Sequence, residues 1–372
     1  MKAAHFLLTP NLWDSPPNDA IERAYRVCGF EVDMYSPDYA QGNARLIACE
    51  YGLRWILRNL CKLKWKQYDA FSCTTEDPVV IAGLLAFIWR KPLIVLADEI
   101  KSGSYYGNRK EYWKKLCRWA MRRANLTIVN DQSRIELQRE YAGMSSKRQI
   151  IVYPGCFLQP PKAKDRAEVL AQSNIGKDKL VLGFSGFCAL QNGIDWALES
   201  LQHHPNMVML TQPLTIQAFD SYLLANHYSR DQLRIASKRL SWQQSWSSMG
   251  GVDIGVAIYN NPAPQFQNMG ISSNRLCMFL AMGVPVIVSR QDSFDFIEEY
   301  ECGYMVDSSE QFSQAIAKIS DNLEQMKRNA LHCTEHYINT AAKYSVLNST
   351  LRNVLSISRQ AELTSHDSAK AD

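Results

Sequence analysis

Short apolar runs alternate along this chain with longer runs of helical period. Ala3 to Leu8, Phe30 to Tyr35, Ala70 to Cys73, Leu93 to Ala97, Leu126 to Val129 and Gln149 to Tyr153 read as strands. Helical stretches lie among them at Asp19 to Cys28, Arg45 to Tyr68, Pro78 to Trp89, Arg109 to Arg123 and Gln132 to Tyr141. The pattern restarts at Leu180 to Phe184 and continues through strands at Met207 to Leu210, Arg234 to Ala236, Val252 to Ile258 and Val284 to Val288. Strands that alternate with helices predict an α/β protein with parallel sheets covered on both faces.

A chain of 372 residues exceeds what one hydrophobic core usually serves, so two domains are expected. The predicted division is a first Rossmann-like domain at 1–160, a polar linker at 161–179 and a second Rossmann-like domain at 180–335. A closing helix at 336–359 and a disordered polar tail at 360–372 complete it. Asp98 and Glu99 end one strand, and open α/β sheets bind ligands outside the carboxyl ends of their strands.

Ile271 to Ser289 is the most informative stretch. Ser272, Ser273 and Asn274 suit a helix cap ahead of the apolar run Leu276 to Met282. Gly283 can take the left-handed stop, and Pro285 forces the chain to restart as the Val284 to Val288 strand. The helix has almost no polar face, so its chemically useful end is the N-terminus, where Arg275 and free backbone N–H groups suit an anion. The plainer role for Arg275 is a surface ion pair.

Asn274-Arg275-Leu276 followed by Leu280 to Val288 resembles the donor-site signature of GT-B glycosyltransferases, usually Asn-Lys-Leu, an apolar helix and Gly-x-Pro-Val-Ile. Cys302-Gly303-Tyr304-Met305-Val306 resembles the family's Gly-x-x-Val ending, and Ala124 to Asn130 with Ile151 to Gly155 resembles the end of its first domain. The likeness covers most of residues 70–310 and is nearest to family 4-like enzymes, among them the galactofuranosyl- and glucosyltransferase-like subgroup. It implies two doubly wound domains facing across a cleft, acceptor in the first and nucleotide-sugar donor in the second.

By the same resemblance, Ser185, Gly186, Asn192, Gly193, Tyr259, Ser272, Ser273, Asn274 and Arg275 form the donor phosphate site, and Lys238 and Leu240 lie near the nucleobase. The chain departs from the pattern at four places. Phe187 and Asn192 stand where the family has an Arg and a Lys, and Gly270 and Met278 stand where it has two glutamates. The subgroup lacks the second acid and uses the basic residue at the Arg275 position on the diphosphate.

Glycosyl transfer needs a positioned hydroxyl, a way to remove its proton and stabilisation of the departing diphosphate. In an inverting enzyme a carboxylate of the first domain is the base: Asp98 is the first candidate, Glu99 the second, and Asp14 the third. Asp98 as a helix cap or ion pair is the alternative. No Asp-x-Asp motif is present, and arginine with backbone amides can neutralise a diphosphate, so neither metal nor cofactor is expected; the nucleotide-sugar is a substrate.

Charge adds a partner. The net charge of +4 hides an imbalance, because residues 1–160 carry 23 Lys+Arg against 16 Asp+Glu. Tyr51 to Tyr68 and Arg109 to Arg123 place basic residues beside Leu stripes and Trp or Tyr, which suits either an anionic membrane surface or a solvated helix face. With no nucleic-acid module visible, nucleic acid is not expected. Ten scattered cysteines without a Cys-x-x-Cys pair suit reduced thiols in a cytosolic protein. The N-terminal apolar run is too short for a signal peptide, and no apolar stretch reaches 18 residues.

The function expected is transfer of a sugar, UDP-linked for preference, to a hydroxyl of a saccharide or lipid-linked acceptor in cell-surface polysaccharide or glycolipid synthesis. It would take place at the cytoplasmic face of the plasma membrane. The missing glutamates leave a catalytically silent homologue, binding nucleotide or a partner transferase, as the alternative. A nucleotide-sugar epimerase is a third, weaker reading.

Overall fold

The computed structural model describes residues 1–9, 12, 15–37, 46–50, 53–60, 62–74, 76–100, 111–186, 192–213, 216–235 and 241–368. The chain forms two compact units, residues 1–153 with 341–372, and residues 154–340.

The first unit begins β1 (Lys2–Phe6), α1 (Pro16–Val27), β2 (Glu31–Ser36), β3 (Leu46–Ala48), α2 (Leu53–Asn59) and β4 (Ala70–Thr74). It continues α3 (Glu76–Ile88), β5 (Leu93–Ala97), α4 (Glu111–Arg123), β6 (Leu126–Val129), α5 (Arg134–Ala142) and β7 (Ile150–Val152). All its strands are parallel, in the order β3-β2-β1-β4-β5-β6-β7. β4 and β5 are buried along their whole length, which is why their sequences show no alternation. Trp65 anchors the core on one face of this sheet, its indole N–H donating to Asn59 O at 2.6 Å and its ring packing with Phe6, Tyr35, Tyr68 and Phe71.

One expectation fails here. The stretch Arg45 to Tyr68 is not one helical region: Leu46–Ala48 pairs with β2 as the edge strand, α2 is short, and Leu63–Gln67 is a single 3-10 turn. Backbone pairing at the open edge of β2 outweighs the helical spacing of the leucines.

The second unit runs α6 (Arg166–Gln172), β8 (Leu180–Gly186), α7 (Ile194–His203), β9 (Met207–Pro213), α8 (Ile216–Ala225), β10 (Leu233–Ile235), α9 (Trp242–Met249) and β11 (Ile254–Ala257). It ends α10 (Pro264–Gln267), α11 (Asn274–Ala281), β12 (Val286–Ser289), α12 (Asp295–Glu299), β13 (Gly303–Val306), α13 (Ser309–Asp321) and α14 (Leu323–Cys333). Its parallel strands lie in the order β10-β9-β8-β11-β12-β13. α11 presses onto this sheet through Phe279, and a Cβ on Gly255 would lie 2.5 Å from that ring. A side chain there would lift the helix off the strands.

Two further expectations are corrected. The stretch read as a linker, 161–179, carries α6, whose Asp165 caps Ala167 N at 2.8 Å and whose Arg166 grips buried Asp253 through Nε at 2.8 Å and Nη2 at 2.9 Å. The closing helix α15 (Thr340–Ser368) continues through most of the stretch read as a disordered tail. No proline or glycine interrupts residues 340–368, so nothing local stops it. From residue 341 the chain belongs to the first unit again, with Leu347, Leu351, Val354 and Leu355 buried beside Ala3, Ala20 and Tyr25. The described cysteines form no disulfide with one another, and all but Cys28 are buried.

Candidate functional site

In the second unit the strand order reverses between β8 and β11, the first and fourth strands of the unit. Strand connections leave this point in opposite directions, so the backbone opens a crevice at the carboxyl ends of the two strands. The segments that meet there are Ser185-Gly186 at the end of β8, Asn192-Gly193 at the start of α7, Ile258-Tyr259 after β11, and the N-terminus of α11.

Contacts between them are close. Gly193 caps α7 at φ +66°, and a Cβ on it would lie 2.4 Å from Ile258. Only glycine meets both demands, the left-handed backbone and the missing volume. Gly186, at φ +110°, lies under the Arg275 guanidinium, where a Cβ would sit 3.2 Å from Nη2. Ser273 caps α11 by accepting from Leu276 N at 3.0 Å, and its hydroxyl also bonds the Tyr259 hydroxyl at 2.5 Å. Ser272 donates to Met269 O. The two serine hydroxyls and Tyr259 are therefore engaged in building the turn, which leaves the backbone N–H groups and Arg275 as the groups facing outward chemistry.

Arg275 is 8% exposed. Its guanidinium lies over the Phe184 ring at 4.7 Å and the Tyr259 ring at 5.6 Å, and donates a long bond, 3.4 Å, from Nη1 to Val256 O. Among the described residues no carboxylate lies within 4.0 Å of it. The ion pair considered as its plainer role is thus not formed with any described residue. A buried cation without an anion is costly, and two aromatic faces offset only about 0.5–2 kcal/mol each. Asn274 adds a buried Oδ1 without a hydrogen-bond partner among the described residues. The positions that hold glutamates in the family behave differently: Met278 is buried with its Sδ 3.9 Å from Cys156 Sγ, and Gly270 is buried in a 3-10 turn.

In the first unit, Asp98 follows β5 and Asn130 follows β6, and the Ala97↔Val129 register sets them side by side. Asn130 Nδ2 donates to Asp98 Oδ1 at 3.1 Å, and buried Arg134 donates from Nη1 to Asp98 O at 2.8 Å. Burial, and then the neighbouring Glu99 charge, push the Asp98 carboxyl up to about 6, against the opposing pull of Arg134 and the Asn130 bond. Asp98 is half-buried and Glu99 exposed. A carboxylate poised near neutrality has the proton affinity that general-base work needs.

Sequence reasoning missed a second polar group in this unit. Buried His5 bonds Ser72 Oγ at 2.8 Å through Nδ1, and Asn18 Oδ1 at 2.9 Å and Thr74 Oγ1 at 3.0 Å through Nε2. Burial holds this imidazole down at about 4, so it is neutral at physiological pH. It ties β1 to β4 at that sheet's own reversal point; the only signal in the sequence was a lone histidine inside an apolar strand. Asp14, Lys238 and Leu240 lie outside the described residues, as do Phe187, Arg109 and Lys110. No group of three or more His, Cys, Asp or Glu among the described residues could hold a metal ion.

Residues 258–344 match the family model described as the glucosyltransferase 3-like C-terminal domain. This match contains Tyr259, Ser272, Ser273, Asn274 and Arg275. Among solved structures the chain is similar to Anabaena HepE in complex with UDP, with a TM-score of 0.71 and 14% identity, covering 95% of this chain and 100% of that one. It is also similar to a sucrose-phosphate synthase from Thermosynechococcus elongatus, with a TM-score of 0.69 and 12% identity over 96% and 100% of the two chains. A putative UDP-N-acetylglucosamine 2-epimerase from Listeria monocytogenes is more distant, with a TM-score of 0.56 and 10% identity over 93% and 94%. A search of curated proteins found no match. The chain has the GT-B fold, and its residues 258–344 are similar to the glucosyltransferase 3-like C-terminal domain.

Proposed function

We propose that this protein is a glycosyltransferase that takes a sugar from a UDP-sugar and passes it to a hydroxyl of a saccharide or lipid-linked acceptor. The observation that carries the reading is Arg275: a buried guanidinium without a described carboxylate partner, at the N-terminus of α11, at the strand-order reversal of the second unit. A diphosphate supplies the missing anion. The guanidinium can take two of its oxygens, and the N–H groups at the start of α11 and near Gly193 can take others. Charge develops on this diphosphate as the glycosidic bond breaks, so the same groups stabilise the leaving group without a metal ion. UDP is favoured because HepE, similar over nearly the whole chain, was solved with it.

Asp98 is the proposed base of an inverting transfer, taking the proton of the acceptor hydroxyl. Its raised proton affinity, set by burial and Glu99, supports that role. The setting proposed is cell-surface polysaccharide or glycolipid synthesis at the cytoplasmic face of the plasma membrane; no described helix is long and apolar enough to cross a membrane.

The competing reading, a silent homologue that binds nucleotide, draws on Met278 and Gly270, which bring no carboxylate to the site. Release of UDP from UDP-glucose and related donors, assayed against an acceptor panel with EDTA present, separates the two. Acceptor-dependent UDP release supports transfer. UDP binding without release under any acceptor would leave the silent homologue.

A further inference from the structure

After Glu76 and Asp77, α3 is apolar from Pro78 to Ile88, and the sequence Pro78 to Trp89 reads as a buried helix. The structure departs from this in the last turn, where Phe87 is 57% exposed and Ile88 41% exposed. Phe87 meets Trp119 of α4 edge-on, ring centroids 5.7 Å apart, and the Arg123 guanidinium lies over both rings, 5.0 Å from Phe87 and 4.8 Å from Trp119. Exposed Arg90 follows α3, exposed Arg122 precedes Arg123, and Tyr112, Lys115 and Arg118 are exposed farther along α4. The single carboxylate of α4, Glu111, is paired with Lys114 at 3.6 Å. α2 packs on the same core as α3 and α4, is linked to it by the bond from Trp89 Nε1 to Leu60 O, and adds exposed Arg54 and Arg58 with no acidic residue.

We infer that this layer of the first unit docks on an anionic lipid bilayer, with Phe87 and Ile88 entering the headgroup boundary and the α4 and α2 arginines on the lipid phosphates. Three features favour a membrane. The exposed apolar residues project from a helix end and are ringed by cations. The cation stacked on the aromatic pair sits at the depth where a lipid phosphate would meet it. α4 and α2 together carry a single carboxylate, Glu111, and cations beside a membrane are attracted to anionic headgroups. α4 runs from the strand edge that carries Asp98 to the opposite edge, and Phe87, Ile88 and Arg123 lie at that opposite edge. The inference stands on this surface and not on the chemistry at Arg275.

Vesicle flotation tests it, with phosphatidylcholine alone and with phosphatidylcholine mixed with phosphatidylglycerol, on the wild type, F87S/I88S and R122E/R123E. The expected result is wild-type binding to anionic vesicles only, weakened by salt, and about tenfold or more lower binding for each double variant. UDP affinity, read by calorimetry on the same samples, is expected to be equal in all three proteins, which separates this face from the donor site. Equal binding to neutral vesicles, no binding at all, or unchanged binding by both variants overturns the inference. So does a variant-dependent change in oligomeric state without vesicle binding, which would make the face a contact between copies of the chain.

Discussion

Asp98→Asn isolates the electrostatic claim about the first unit. With its carboxyl raised from 3.8 to about 6, the folded state holds a proton that the unfolded state has lost across that interval. Stability conferred by the wild-type residue therefore falls as pH rises through the window. Two proton-binding curves with these midpoints differ between pH 5 and 7.5 by about 1.4 kcal/mol, and partial contact of Asp98 with water reduces this to about 1 kcal/mol. Asparagine does not titrate. Relative to Asp98→Asn, the wild type should lose about 1 kcal/mol between pH 5 and 7.5, read as the difference between two pairs of urea unfolding curves. The difference is the informative quantity, because buried His5, held down at about 4, contributes with the opposite sign in both proteins and cancels. If Asp98 is the base, the same variant should also lose about 10²–10⁴-fold in turnover with UDP affinity kept. A stability difference that stays constant with pH would refute the perturbed carboxyl. Near-normal turnover would refute its role in transfer.

Arg166→Ala leaves buried Asp253 with only the Val181 N–H as a donor among the described residues, and should cost about 2 kcal/mol, seen as a lower melting temperature. Arg166 is 35% exposed, so water screens the pair and the loss is smaller than for a fully buried one. Gly193→Ala meets both a left-handed backbone and an overlap 2.4 Å from Ile258, so it should destabilise by about 2 kcal/mol in thermal unfolding and weaken UDP binding measured on the folded fraction. A neutral result would mean that the turn before α7 shifts freely.

The strands were legible in the sequence because buried parallel strands are unbroken apolar runs, and Gly283-Val284-Pro285 marked where α11 stops and β12 begins. Gly283 takes φ +71° in the structure. β3 was not legible, since a short edge strand is made by its partner's free hydrogen bonds and Leu46 to Ala48 carries little pattern of its own. α6 was hidden for a related reason: its place is fixed by Arg166 reaching Asp253, far along the chain. In the candidate site, Arg275 and the glycines could be named from local spacing, but the uses of Ser272 and Ser273 could not. Their hydroxyls go to the Met269 carbonyl, Leu276 N and Tyr259, contacts that only the folded turn creates. The perturbation of Asp98 was equally invisible, because its largest cause is burial at the end of β5, which only the folded sheet creates.

Calorimetric titration of UDP into the wild type and Arg275→Ala, without metal ions, tests the central claim most directly. The account predicts binding by the wild type and at least about tenfold weaker binding by the variant, the loss expected for a charge-assisted contact to phosphate, with the melting temperature retained. Equal affinity in the two proteins, or no UDP binding by the wild type, would contradict it.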